Sequence, residues 1–65
     1  MALYTLKAAR VNAGLTQAQI AEQLDVSPIT IWKWETGKAE PKASKFMHLC
    51  KAYGVKAEDI FLPEA

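Results

Sequence analysis

The stretch from Thr16 to Glu35 limits what this chain can fold into more than any other part of it. It contains two helix starts, Thr16 and Ser27, eleven positions apart. Thr16 is followed three residues on by Gln19, the pattern of a capping box. The hydroxyl accepts from the amide of the third helical residue, and the carboxamide reaches back to the amide of the cap. Ser27-Pro28 is the second start: Ser accepts a free amide at the N-cap, and Pro at the first helical position loses no needed hydrogen bond. Between them, Asp25 tolerates the left-handed conformation that a tight turn requires. Two amphipathic helices of about two turns each therefore meet at a sharp turn. Neither buries its apolar face alone, so the rest of the chain must cover them.

The cover is small. Sixty-five residues make one domain, 1–65, with a modest core. The single cysteine rules out an internal disulfide, and no Cys and His spacing suits a metal. Stability must come from helix packing, helped by dimerisation. No apolar run reaches the length of a membrane span and no signal-peptide pattern opens the chain, so a cytoplasmic protein is the default expectation. The net charge of +1 gives no bulk argument for a nucleic-acid partner. Its distribution is uneven, however. Residues 33–51 hold Lys33, Lys38, Lys42, Lys45 and Lys51 against Glu35 and Glu40, whereas residues 58–65 hold Glu58, Asp59 and Glu64 and no base. This fits a basic face with an acidic end, and it fits an ordinary solvated surface equally well.

Helical spacing of Leu3, Leu6, Ala9, Arg10 and Ala13 predicts a first helix over 3–13, stopped by Gly14. The second, 17–24, turns Ile20, Ala21 and Leu24 inward, with Leu15 ahead of the cap as a staple on Ile20. Val26 then plugs the core. The third, 28–36, turns Ile31, Trp34 and Glu35 to one side and ends at Thr36-Gly37. A polar loop through Pro41 leads to a fourth helix, 43–53, with the stripe Phe46, Leu49, Cys50, Tyr53 and a stop at Gly54. A fifth, 57–61, is expected to return Ile60 and Phe61 to the core beside Val55. No segment alternates long enough to read as a strand. The expected fold is all-α, five short helices in one domain.

Catalytic chemistry finds no constellation here. His48 and Cys50 stand two apart on a helix and point in different directions, so they form no dyad. Cys50 reads as a small buried hydrophobe and His48 as a surface residue. No phosphate-binding glycine loop or carboxylate pair is present, and neither a metal, a cofactor nor a small-molecule ligand is expected. A binding surface is better supported. With Ile31, Trp34 and Glu35 inward, the third helix turns Pro28, Ile29, Trp32, Lys33 and Thr36 outward. An Ile and a Trp exposed beside a Lys call for a partner. Duplex DNA fits: a helix enters the major groove, an aliphatic group meets a thymine methyl, and Lys reaches guanine O6 and N7. Thr16 and Gln17 at the tip of the second helix suit a phosphate, and Lys38 and Lys42 suit the backbone beyond. A protein partner, or packing against the fourth helix, accounts for Ile29 and Trp32 as well.

The run Gly14-Leu15-Thr16-Gln17, Ile20-Ala21, Val26-Ser27, Ile31-Trp32-Lys33-Trp34-Glu35, Gly37, Pro41, Leu49 and Gly54-Val55 resembles the Cro/C1-type helix-turn-helix family, the lambdoid phage repressors, Cro proteins and their bacterial relatives. The resemblance covers residues 6–61. It implies a lambda-repressor-like DNA-binding domain with the helix-turn-helix over about 16–36, the third helix lying in the major groove. It also implies, position by position, base contacts from Pro28, Ile29 and Lys33, a phosphate contact from Gln17, and backbone contacts along Thr36, Lys38 and Lys42. Arg10 and Glu35 match a recurrent ion pair between the first and third helices, and each lies on an otherwise apolar face where a charge needs a partner. Four positions depart from the family pattern. Asp25 replaces the common turn glycine. Lys42 and Lys56 stand where a capping Ser or Thr is usual, so the fourth and fifth helices are expected to fray. Trp32 occupies a position more often polar, and either a sugar–phosphate edge or a partner protein accounts for it.

The expected function is a sequence-specific double-stranded DNA-binding transcriptional regulator of bacterial or phage type. The resemblance implies a repressor or Cro-like protein that binds a palindromic operator as a homodimer, half-sites about 34 Å apart, with Val55, Phe61 and Leu62 as candidate dimer contacts. The alternative is a protein-interaction module, antitoxin-like or adaptor, that uses the Ile29/Trp32 face.

Overall fold

The computed structural model describes residues 4–63. Its elements run β1 (Tyr4–Thr5), α1 (Leu6–Asn12), α2 (Gln17–Leu24), α3 (Pro28–Thr36), α4 (Ala43–Tyr53), a 3-10 turn (Ala57–Asp59) and β2 (Ile60–Phe61). The four helices place one face each on a common core of Leu6, Ile20, Ile31 and Leu49, all but fully buried. Ala9, Ala21, Leu24, Trp34, Cys50, Tyr53 and Ile60 complete it, and Leu15, Val26, Phe46 and Val55 pack around its rim.

Local hydrogen bonding explains where the helices begin. Thr5 caps α1, its hydroxyl accepting from the Ala8 amide at 3.0 Å. Thr16 Oγ1 accepts from the Gln19 amide at 3.1 Å while Gln19 Oε1 accepts from the Thr16 amide at 2.9 Å, a complete capping box. Ser27 caps α3 with Pro28 in its first turn. Lys42 and Lys56 sit at the N-cap positions of α4 and the 3-10 turn without a side-chain cap bond.

The turn between α2 and α3 is made by Asp25 in the left-handed region, φ 57° and ψ 46°. Among the described residues it is the one non-glycine with positive φ, and a short polar side chain makes that tolerable. Lys45 of α4 supports the same turn from below. Its Nζ donates to the Leu24 carbonyl at 2.7 Å, satisfying one of the carbonyls that a helix end leaves open. Lys45 is thus not part of a free basic face.

Three expectations need correction. First, α1 begins at Leu6, because Thr5 is the cap and a cap has extended rather than helical backbone; Leu3 lies outside the described residues. Second, the described residues form four α-helices and a short strand pair, not five helices. The last segment makes only one 3-10 turn before extending. Third, strands do occur. β1 and β2 pair in parallel, Tyr4 with Ile60 and Thr5 with Phe61. Two-residue strands are too short to show an alternating pattern, and their pairing joins opposite ends of the chain. The same change moves Phe61. A helix would have set Ile60 and Phe61 about 100° apart, both within reach of the core; in a strand successive side chains point to opposite sides, so Ile60 is buried and Phe61 is exposed.

Candidate nucleic-acid interface

The outward face of α3 presents Pro28, Ile29, Trp32, Lys33 and Thr36 to solvent. Ile29 and Trp32 are among the few large apolar side chains left exposed. The N-terminal tip of α2 stands beside them, and Gln17, Pro28, Ile29 and Trp32 together line an open recess. At that tip the capping box engages the amides of Thr16 and Gln19, leaving those of Gln17 and Ala18 outside it. Two outward amides at a helix start suit a phosphate oxygen.

Beneath the recess lies a charged network. Arg10 Nε donates to Glu35 Oε2 at 2.7 Å, and Arg10 Nη2 donates to Glu35 Oε1 at 3.3 Å. The two side chains keep only 10% and 4% of their surface exposed, so the pair is nearly dry. Arg10 Nη1 also donates to the Leu15 carbonyl at 2.9 Å. A third partner reaches the carboxylate: Gln17 Nε2 donates to Glu35 Oε1 at 3.0 Å. Arg10 and Glu35 therefore join α1, the loop before α2 and α3, and Gln17 ties α2 to the same carboxylate. Every buried polar side-chain atom among the described residues is satisfied, as a low-dielectric site requires.

The Gln17–Glu35 bond was not anticipated from the sequence, although a signal existed. Gln17, Ile20, Ala21 and Leu24 share the i, i+3, i+4, i+7 spacing of one helix face. Gln17 thus belongs to the edge of the inner face as well as to the tip, which is why it is half-buried.

The remaining residues are spread along the surface after α3. Thr36 is exposed, but its hydroxyl proton goes back to the Trp32 carbonyl at 2.9 Å, leaving the oxygen as an acceptor. Lys38 and Lys42 are exposed in and beyond the loop that follows Gly37. Among the described residues, Lys33, Lys38 and Lys42 take part in no ion pair, so their charge is available to an anion. Burial pushes the Cys50 thiol up, which keeps it protonated and unreactive near neutral pH. Tyr53, held under Glu35 in the core, is pushed up to about 12, first by burial and then by the Glu35 charge. No described helix is long and apolar enough to cross a membrane, and no described residues group as metal ligands.

The helix-turn-helix family model matches residues 6–60 of this chain. The chain is similar to the uncharacterized HTH-type transcriptional regulator MJ0272 of Methanocaldococcus jannaschii, 42% identical over 59 residues that cover 91% of this chain and 89% of that protein. It is also similar to the HTH-type transcriptional activator BcrR of Enterococcus faecalis, 37% identical over 59 residues, again 91% of this chain but only 29% of that longer protein. The match runs through α1 to β2 and takes in both the capped α2–α3 pair and the exposed α3 face. The chain therefore belongs to the Cro/C1-type helix-turn-helix family of DNA-binding transcriptional regulators.

Proposed function

We propose that the protein is a repressor or Cro-like regulator that binds a palindromic operator as a homodimer. In this reading Pro28, Ile29 and Lys33 meet base edges in the major groove. Thr16, Gln17, Trp32, Thr36, Lys38 and Lys42 follow the sugar–phosphate backbone. The observation that carries the reading is the outward face of α3: exposed apolar groups and an unpaired Lys stand beside the α2 tip, above a buried network in which Glu35 of α3 holds Arg10 of α1 and Gln17 of α2. Major-groove readers present one helix this way. Phosphate contacts alone give no sequence preference, so the base-facing residues must supply it.

Repression asks least of a small domain, since occupying a promoter is enough. The activator among its relatives is matched over less than a third of its length, so the matched segment does not by itself account for activation there. Dimer contacts are assigned to Val55, Phe61 and Leu62, of which Phe61 is the exposed one.

Selection of bound sites from random duplex DNA tests this directly. The expected product is an inverted repeat with half-sites about one helical turn apart. Repeating the selection with Lys33→Ala should relax preference at one symmetric pair of positions, a loss of about tenfold or more in discrimination. A uniform drop in affinity would make Lys33 a phosphate ligand instead. The apolar character of Ile29 and Trp32 also fits an antitoxin-like or adaptor module. In that case binding to bulk duplex would not weaken steeply as salt rises.

A further inference from the structure

We propose that Lys45 is a positioning residue for DNA recognition: from α4 it holds the Leu24 carbonyl at the α2–α3 turn and so sets the angle at which α3 is presented. The inference rests on the DNA-binding reading above and goes beyond it by naming a residue that acts on the reading helix without touching DNA. Its ground is the hydrogen bond that Lys45 Nζ donates to the Leu24 oxygen at 2.7 Å. Lys45 is half-buried and makes no ion pair among the described residues. Leu24 is the last residue of α2, and the amides that follow it are spent elsewhere. That of Asp25 goes to the Ala21 and Glu22 carbonyls, and that of Val26 goes to Ala21 at 3.0 Å. The residue four on is Pro28, which has no N–H.

The end of α2 also lacks a cation of its own. α1, α3 and α4 each carry a base in the last turn, Arg10, Lys33 and Lys51, and α2 carries none. A cation stabilises the negative end of a helix dipole, and Lys45 supplies it from another element. The turn needs the support, because Asp25 holds a left-handed conformation that costs a non-glycine residue free energy. The α2–α3 pair is thus tied at two places, by Gln17 to Glu35 at 3.0 Å at the start of α2 and by Lys45 to Leu24 at its finish. Base readout depends on how α3 lies in the groove, whereas attraction to bulk duplex rests on charge. Loss of the second tie therefore lowers affinity for a selected site and spares bulk binding.

The test uses the whole chain, the duplex it selects and an unrelated duplex of equal length, with affinities measured over a range of salt. Lys45→Met keeps the aliphatic stem and removes the donor. It should lose about tenfold in affinity for the selected duplex, the scale of one lost base-pair contact. The unrelated duplex should be bound as before, with the salt slope unchanged. Lys45→Arg, which keeps charge and donors, should bind like the parent. In NMR the Leu24 carbonyl carbon should shift in Lys45→Met and return in Lys45→Arg. Lys38, placed on the DNA backbone above, is the contrast: Lys38→Ala should lower the salt slope by about one and weaken both duplexes together. If Lys45→Met does not fold by circular dichroism, Lys45→Gln is read by the same criteria. A Lys45→Met that behaves like Lys38→Ala is a lost phosphate ligand; it overturns this inference and leaves DNA binding standing. So does unchanged affinity for the selected duplex. Failure of the parent to select any site, with no salt-dependent retention on duplex, overturns the DNA-binding reading and this inference with it.

Discussion

α3 carries an isoleucine and a tryptophan on each of its two faces, and the two pairs have opposite fates. Ile31 and Trp34 are 1% and 6% exposed; Ile29 and Trp32 are 60% and 43% exposed. Residue type does not separate them, since the same two side chains occur on both sides. Position on the helix does. Ile31 and Trp34 lie three apart and join the buried cluster that includes Ile20, Ala21 and Leu24 of α2 and Leu49 and Tyr53 of α4. Ile29 and Trp32, also three apart, are rotated away from every covering element. The inner pair stabilises the fold and the outer pair is left in solvent. A chain this small has little core to spare, and a total stability of about 3–10 kcal/mol is the scale expected for its length. Leaving two large apolar groups in water therefore points to use elsewhere.

The sharpest way to break the comparison is at Trp34. Trp34→Ala should cost about 3–5 kcal/mol, most of the total stability, and should leave the chain largely unfolded in a thermal melt followed by circular dichroism. Its counterpart Trp32→Ala should stay within about 0.5 kcal/mol of the parent while weakening retention on the selected duplex. Equal melting losses for the two would dissolve the distinction between the faces.

The next effect concerns what holds the faces apart. Arg10→Met leaves the Glu35 carboxylate buried with only the Gln17 amide for a partner, and should cost about 3 kcal/mol in a urea melt. Arg10→Met/Glu35→Leu removes both charges and should recover much of that loss, because an unpaired buried charge costs more than an absent pair. A double variant as unstable as the single would mean that packing of the Arg10 stem, not charge, ties α1 to α3.

The smallest effect is set by pH. The folded protein keeps the Tyr53 phenol protonated up to about 12, whereas an unfolded chain releases that proton near 10. Below pH 10 both states hold the proton and the contribution is fully present. Between 10 and 12 the unfolded state binds fewer protons, so stability falls as pH rises, by at most about 1.4 kcal/mol per unit. Urea melts across this window should show the slope, and Tyr53→Phe should flatten it. An unchanged slope in Tyr53→Phe would assign it to the lysines.

Much of the fold was legible because its signals are local. The spans of α2, α3 and α4 follow from Thr16 with Gln19, from Ser27-Pro28 and from the glycines at 37 and 54, residues within a few positions of the ends they define. The outward set on α3 followed from helical period alone. Most of the illegible parts are long-range. Thr5 is the exception, a local cap missed because Leu3 extended the apolar spacing past it. The network beneath the recess was half visible. The Arg10–Glu35 geometry lies where two charges on apolar faces would put it, but the third partner, Gln17, was assigned wholly to the surface. Lys45 counted toward a basic face although its ammonium group serves the Leu24 carbonyl.

The sequence by itself determined where α2, α3 and α4 start and stop, because caps, left-handed turns and proline positions are settled by hydrogen bonds and sterics between near neighbours. It also determined which side of each helix is apolar. The tertiary structure alone decided three things: that Tyr4–Thr5 and Ile60–Phe61 pair as strands, that Phe61 faces out while Ile60 faces in, and that Gln17 completes the Glu35 carboxylate. Each joins residues far apart in the chain. Their backbone and side-chain groups acquire partners only after packing has excluded water and brought α1, α2, α3 and the chain ends together.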